Sequence, residues 1–335
     1  TRRSTSSPRG LPSAAPLRSS GLGGVGDHGV DIGRATALAF ARPGIRLVIS
    51  SRSRPALDDV AAQCRAVGAE VRVVVADVRE PETIEQVAAT AVTAFGGIDV
   101  WVNTAAVMAY GRFEDVPAAV FDRVVDVDLL GGATVARVAL ARFRKQGRGV
   151  LIFGGSLLGS VVTPYTSSYV TSKWGLRALI RALRLETRDA PDIHVCLVSP
   201  GSVNTPIYRN AANYAGRGGK PPPPVVQPEK VAAAILRCAR RPRASVNVGA
   251  ANRIIELGFV AMPGLYDVLV GPLMRAGGLS GDPMDAHDGN VFDPAPAAGE
   301  HARGEWKSPR WRVAGTAAAL AGVVVVGGWA ARSRR

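Results

Sequence analysis

Cysteine and histidine are scarce in this chain, and their scarcity removes several chemistries at once. Of 335 residues only three are cysteines, Cys64, Cys196 and Cys238, standing in apolar periodic segments without the spacing of metal ligands. That pattern excludes a disulfide framework and a thiolate zinc site, and it fits reduced core residues of a cytosolic protein. The four histidines are scattered, so no metal site is expected. Acidic residues are in deficit, 27 against 41 lysines and arginines, for a formal net charge of +14. A balance of that sign suits an anionic membrane surface or nucleic acid. No nucleic-acid recognition motif accompanies the charge and the arginines gather toward the termini, so a lipid membrane is the expected partner and nucleic acid is not.

What is present is a regular alternation of apolar runs. Strand-like runs at 45–50, 71–76, 98–102, 150–153, 193–198 and 244–248 are separated by segments with helical spacing. Such alternation predicts a doubly wound parallel sheet, a Rossmann-like three-layer α/β/α single domain over 26–250. The length allows one such domain plus appendages.

One constellation carries chemistry. Between 164 and 190 apolar residues recur at helical spacing, which sets Tyr169 and Lys173, in Tyr169-Val-Thr-Ser-Lys173, one turn apart on one face. A phenol titrates near about pH 10 and exchanges protons poorly at neutral pH, but an ammonium fixed beside it stabilises the phenolate. Ser156, thirteen residues before Tyr169, follows the run 150–153 and Gly154-Gly155, at a strand's C-terminal edge where open α/β sheets bind ligands. The three groups point to carbonyl or alcohol redox chemistry.

In these motifs the chain resembles the classical short-chain dehydrogenases/reductases, over about 32–249, roughly two thirds of its length. The family's Tyr-x-x-x-Lys and upstream serine match Tyr169, Lys173 and Ser156. Its Asn-Asn-Ala-Gly appears as Asn103-Thr-Ala-Ala106, and its Pro-Gly with a later threonine as Pro200-Gly-Ser-Val-Asn-Thr205. The resemblance implies that Tyr169 is the catalytic acid/base, that Ser156 orients the substrate oxygen, and that Lys173 also holds the nicotinamide ribose. It further implies a dinucleotide lying along Ile32 and Gly33, Ser51 and Arg52, Asp77 and Val78, and Asn103 and Ala105. Asp77 matches the family's adenine-contacting aspartate, and Pro200, Gly201, Val203 and Thr205 match the loop beside the carboxamide. At the end of Arg46-Leu-Val-Ile-Ser-Ser-Arg52, NAD-specific relatives carry an acidic residue; here serine fills that place and Arg52 follows. An arginine there can pair with a 2′-phosphate, so NADP(H) is favoured, with NAD as the alternative.

The chain also departs from the family. Where Thr-Gly-x-x-x-Gly-Ile-Gly is expected it has Gly26-Asp-His-Gly-Val-Asp-Ile-Gly33, so Asp27 and Asp31 bring side chains and charge to a pyrophosphate turn. Upstream, 11–25 is rich in Pro, Ser and Gly and has no run resembling a central first strand, so residues 1–25 are expected to be disordered or mistranslated. Codons for 26–30 read one base later can encode the missing strand end and turn. That fact, with Thr1 in place of methionine, fits a reading-frame error ending near Asp31 in a fragment or mis-called frame. The family's helix asparagine is replaced by Asp128, within Asp126-Val-Asp-Leu-Leu-Gly131, which loses the amide donor and adds charge.

Beyond the sheet, 204–226 stands where the family has a mobile substrate lid. Residues 251–280 read as an apolar helical extension cut into short pieces by Pro263 and Pro272, and 281–312 as a flexible linker. Residues 313–331 carry no charge and have Lys307, Arg310 and Arg312 before them and Arg332, Arg334 and Arg335 after, so a single C-terminal membrane span is expected. The catalytic domain would then face the cytoplasm; a soluble cytoplasmic homo-oligomer is the alternative. The expected function is an NADP-dependent oxidoreductase interconverting a lipophilic alcohol and its carbonyl at a membrane. The rival is a catalytically impaired scaffold of the same fold, which the retained Ser156, Tyr169 and Lys173 argue against.

Overall fold

Apolar alternation builds the sheet. In the computed structural model of the chain, which describes residues 20–23 and 32–294, seven parallel strands form one sheet. In chain order they are β1 (Ser20–Gly23), β2 (Arg46–Ser51), β3 (Glu70–Val75), β4 (Val100–Asn103), β5 (Gly149–Gly154), β6 (Ile193–Pro200) and β7 (Ser245–Val248). Across the sheet they run β7-β6-β5-β4-β1-β2-β3. Successive strand residues face opposite ways. Leu47, Ile49, Val100 and Val102 therefore pack on one side, and Val48, Trp101, Val195 and Leu197 on the other.

Helices cover both faces. The first is closed by α1 (Ile32–Phe40), α2 (Arg54–Ala66) and, late in the chain, the helix Pro228–Arg240, through Phe40, Leu57, Val60 and Ile235. The second is closed by α3 (Pro81–Phe95), by α5 (Gly131–Gln146), which follows α4 (Ala118–Val125), and by α6 (Ser167–Glu186), through Val87, Phe143 and Ile180. Fully burying such a side chain contributes about 1.5–3 kcal/mol. Switching from one face to the other between β1 and β4 leaves a crevice at the strands' C-terminal ends. Gly131 lets α5 begin there: a Cβ on it would lie 2.5 Å from Val78 Cγ2.

Three expectations are corrected. A first strand does exist: Ser20 pairs with Leu47 of β2 and with Val100 of β4. Ladder hydrogen bonds are made by backbone, so a slot between two strands can be filled by Ser-Gly-Leu-Gly without an apolar signature. The apolar extension is two helices, Asn252–Ala261 and Pro263–Gly277, and Pro272 lies inside the second without breaking it. Pro263 sits at a helix start, where its missing N–H costs nothing. Residues 281–294, expected to be a loose linker, instead pack on the domain. The strand Leu279–Pro283 pairs with Arg217–Gly219, His287 bridges Asn213, and Val291 is fully buried. A buried valine and ladder hydrogen bonds outweigh the polar composition that suggested a linker. Among the described residues no helix is long and apolar enough to cross a membrane. The candidate span 313–331, like Asp27 and Asp31, lies outside them.

Candidate active site

Two elements bring the titratable groups together. α6 carries Tyr169 and Lys173 one turn apart, and the exit of β5 carries Ser156 in extended conformation, where its Oγ accepts from Leu158 N at 3.1 Å and its side chain is near enough to act on the Tyr169 phenol. Lys173 is buried; its Nζ lies 5.1 Å from the Tyr169 ring centroid and 3.0 Å from Asp128 Oδ2. Asp128 sits on a π-helical turn, Asp126–Leu130, that joins α4 to α5, and its Oδ1 accepts from Val107 N at 2.8 Å. π turns insert a residue into a helix and often mark functional positions. Here the turn aims a carboxylate at Lys173.

Charge and burial set the protonation states. Burial pulls the Lys173 ammonium down, but the Asp128 carboxylate and the neighbouring Tyr169 together outweigh it and leave the ammonium above its usual value. Burial pushes the Asp128 carboxyl up, against the lowering pull of Lys173. For Tyr169, burial raises the phenol, Lys173 lowers it, and Asp128 raises it again; the outcome is a phenol above its ordinary value and therefore protonated at neutral pH.

The C-terminal ends of β2 to β5 open into one cleft. Ile32, Ser51, Arg52, Asp77 and Val78 line one end, and Ala105, Tyr169, Lys173 and Thr205 the other. The remaining sequence-identified residues stand behind this lining. Gly33 is buried in α1, and Asn103 Oδ1 accepts from Ala105 N at 3.3 Å. Pro200 ends β6; Gly201 N donates to Val248 O at 3.0 Å, and Val203 N to the Tyr208 hydroxyl at 3.3 Å. At the first end the Asp77 carboxyl is raised by burial, but more than offset by hydrogen bonds and charge from Arg79, 2.7 Å away, so it lies below the usual carboxylate range. Arg52 donates through Nη1 to Phe292 O at 3.1 Å and through Nη2 to Asn290 O at 3.0 Å.

The donor set fits a dinucleotide. A guanidinium lines one end, and an ammonium and a phenol line the other, with the Ser156 hydroxyl close by; such donors can bind a dinucleotide and a carbonyl oxygen. Residues 24–31, which would meet the pyrophosphate, lie outside the described residues.

Several site residues escape a motif reading. Gly154, Gly155, Asn210 and Asn290 line the cleft. Met108, Tyr110, Tyr165, Ile207, Tyr208 and Leu279 form one apolar, aromatic cluster to which Tyr169 also belongs, and Ile207 of that cluster lines the cleft. Tyr165 has φ 69, a left-handed conformation that costs a bulky residue about 1–3 kcal/mol. It is held there by Gly111 N donating to its carbonyl at 3.0 Å and by Arg275 Nη1 donating to its hydroxyl at 3.3 Å. The expected lid is stitched down by Val225–Val226 pairing with Ser202–Val203, besides the contact with Leu279–Pro283.

Comparison with known proteins agrees with this geometry. The model of the short chain dehydrogenase family matches residues 27–214. An uncharacterized oxidoreductase of Bacillus subtilis, YxnA, is 29% identical over 90% of this chain and 88% of its own length. The sepiapterin reductase of Chlorobaculum tepidum is 28% identical over 65% of this chain and 89% of its own. Among solved structures, the alcohol dehydrogenase from Thermococcus sibiricus complexed with 5-hydroxy-NADP superposes with a TM-score of 0.59 at 26% identity, over 69% of this chain and 95% of that one. The chain belongs to the short-chain dehydrogenase family. It is an NAD(P)-dependent oxidoreductase.

Proposed function

We propose that this protein is an NADP(H)-dependent reductase, working also in reverse as a dehydrogenase, that interconverts a lipophilic alcohol and its carbonyl beside a membrane. The observation that carries the reading is the pair Tyr169 and Lys173 lining one end of a cleft whose other end holds Arg52, with the buried Asp128 carboxylate 3.0 Å behind Lys173 and Ser156 close by. When bound, the nicotinamide supplies a hydride to the carbonyl carbon. The chain's residues handle the oxygen. Ser156 donates a hydrogen bond to the carbonyl oxygen and Tyr169 gives it the phenolic proton, so the carbonyl becomes a hydroxyl and the phenolate left behind is stabilised by Lys173. With its phenol protonated at neutral pH, Tyr169 holds the proton that a carbonyl oxygen takes up on reduction, whereas alcohol oxidation draws on the phenolate. Lys173 positions the ribose with donors not given to Asp128.

An arginine in place of an acidic residue at the end of β2 supports NADP(H) over NAD(H). The relative with a bound NADP analogue is consistent with that choice. The apolar, aromatic cluster that includes Tyr169 favours an apolar substrate. Membrane association is supported by the uncharged stretch 313–331 with its basic flanks, and by exposed Ile254, Leu257, Val260 and Val268 on the two C-terminal helices. NADPH consumption over a panel of aliphatic and aromatic ketones and aldehydes tests the reading. Consumption that persists undiminished in Tyr169→Phe would refute it.

A further inference from the structure

The segment 288–292 lies far outside the dinucleotide fold in sequence, yet it grips the residue assigned to cofactor choice. Arg52 and Phe292 are separated by 240 positions, and Arg52 gives one hydrogen bond to the carbonyl of Phe292 and one to that of Asn290. The segment is firmly seated. His287 N donates to Asn213 O at 3.0 Å and Asn290 N to Asn210 O at 2.8 Å, while the Tyr214 hydroxyl bonds Asp288. Val291 is fully buried beside Val120, Val124 and Val127, and the Arg123 guanidinium lies 4.9 Å over the Phe292 ring. Gly289 turns the chain at φ +55, so close to its neighbours that a Cβ would lie 2.3 Å from Asn210 O. Asn290 itself lines the cleft together with Ser51, Arg52 and Asp77.

An arginine side chain has about 2 kcal/mol of rotamer entropy to lose when it is fixed on a phosphate. Fixing it beforehand removes that cost from binding. Carbonyl oxygens are neutral acceptors, so these two contacts hold the guanidinium in place without themselves neutralising it, while the Asp77 carboxylate is near enough to interact with it. We propose that 288–292 is a positioning strap for cofactor selectivity, which holds Arg52 at the adenosine end of the cleft so that it meets the 2′-phosphate of NADP(H). Selectivity for the phosphorylated dinucleotide then depends on a segment that follows the family's matched region. The inference rests on the NADP(H) reading above.

The test measures NADPH and NADH dissociation constants by nicotinamide fluorescence on the full chain. The variants are Arg52→Ala, Gly289→Val, Phe292→Ala and the double variant Arg52→Ala/Gly289→Val. Gly289→Val drives a side chain into Asn210 O, whereas Phe292→Ala removes the Arg123 stacking and some packing on the cluster of Val120 and Val291 but leaves the backbone unstrained, so it remains informative if the valine variant fails to fold. Unseating the strap is expected to weaken NADPH about tenfold while NADH stays within about twofold, with a smaller change of the same ratio in Phe292→Ala. The double variant should lose no more NADPH affinity than Arg52→Ala, since both changes act through one guanidinium. A selective NADPH loss in Arg52→Ala combined with an unchanged NADPH/NADH ratio in the strap variants would overturn the strap alone. Equal losses of both dinucleotides in Arg52→Ala would overturn the NADP(H) reading, and the strap with it.

Discussion

Asp128→Asn changes the charge of the row Asp128, Lys173 and Tyr169 while nearly keeping its shape. Lys173 Nζ is 3.0 Å from Asp128 Oδ2 and 5.1 Å from the Tyr169 ring centroid, which places the carboxylate close to the phenol. Over roughly 8 Å, at an effective dielectric near 20, a carboxylate and a phenolate repel by about 2 kcal/mol. Removing Asp128's charge therefore favours the phenolate, the same sense in which Asp128 now raises Tyr169. Alcohol oxidation needs the phenolate and carbonyl reduction needs the phenol. In Asp128→Asn the alkaline rise of kcat/KM for oxidation should move toward acid by about one pH unit or more, and reduction should fall off at correspondingly lower pH. The assay is kcat/KM against pH in both directions, from neutral to strongly alkaline, with thermal melting alongside because removing one partner of a buried pair costs up to about 3–5 kcal/mol. A profile that stays in place refutes repulsion between Asp128 and the phenolate, and one that moves to higher pH shows instead that Lys173 gives up its proton once Asp128 no longer holds it charged.

Other perturbations test separate parts of the site. Tyr169→Phe should lower kcat by about 10²-fold or more while NADPH affinity stays within a few fold, as steady-state kinetics and fluorescence titration would measure. Lys173→Ala should lose both turnover and affinity; a loss of only one removes one of its two tasks. Replacing Asp27 and Asp31 by glycine should tighten both dinucleotides, because side chains and negative charge leave a pyrophosphate turn, and unchanged constants would place that turn elsewhere. If 313–331 spans a bilayer, the full chain should resist extraction by high salt and alkaline carbonate and yield to detergent, while a chain ending at Ser308 should stay in the supernatant. Release by salt alone would replace the span with surface binding.

What could be read from the chain followed from how strongly each feature is written in side chains. Strands such as Arg46–Ser51 and Ile193–Pro200 carry apolar runs, and Tyr169 with Lys173 lies on a helix whose spacing is fixed, so the sheet and the placement of Tyr169 one turn from Lys173 were legible. The strand Ser20–Gly23 was not, because its place rests on backbone pairing with β2 and β4. Asp128 was flagged as a lost amide donor, but its ion pair with Lys173 depends on a π turn that leaves no mark in the apolar pattern. The strap was hidden differently. In a polar stretch rich in Pro, Ala, Gly and Asp, the pair Val291-Phe292 was the single signal that 281–294 docks, and composition averaged it away. Tyr165's left-handed backbone likewise depends on partners, Gly111 and Arg275, that are distant in sequence.

The central claim is that one cleft binds NADP(H) with its phosphate end at Arg52 and its reactive end at Tyr169, and direct titration of purified full-length protein with NADPH and NADH tests it most simply. Hydrogen bonds to a charged group contribute about 1.5–3 kcal/mol, so NADPH is expected to bind about tenfold or more tightly than NADH, with enhanced nicotinamide fluorescence in the cleft. Equal affinity for the two, or no binding of either, would contradict the account.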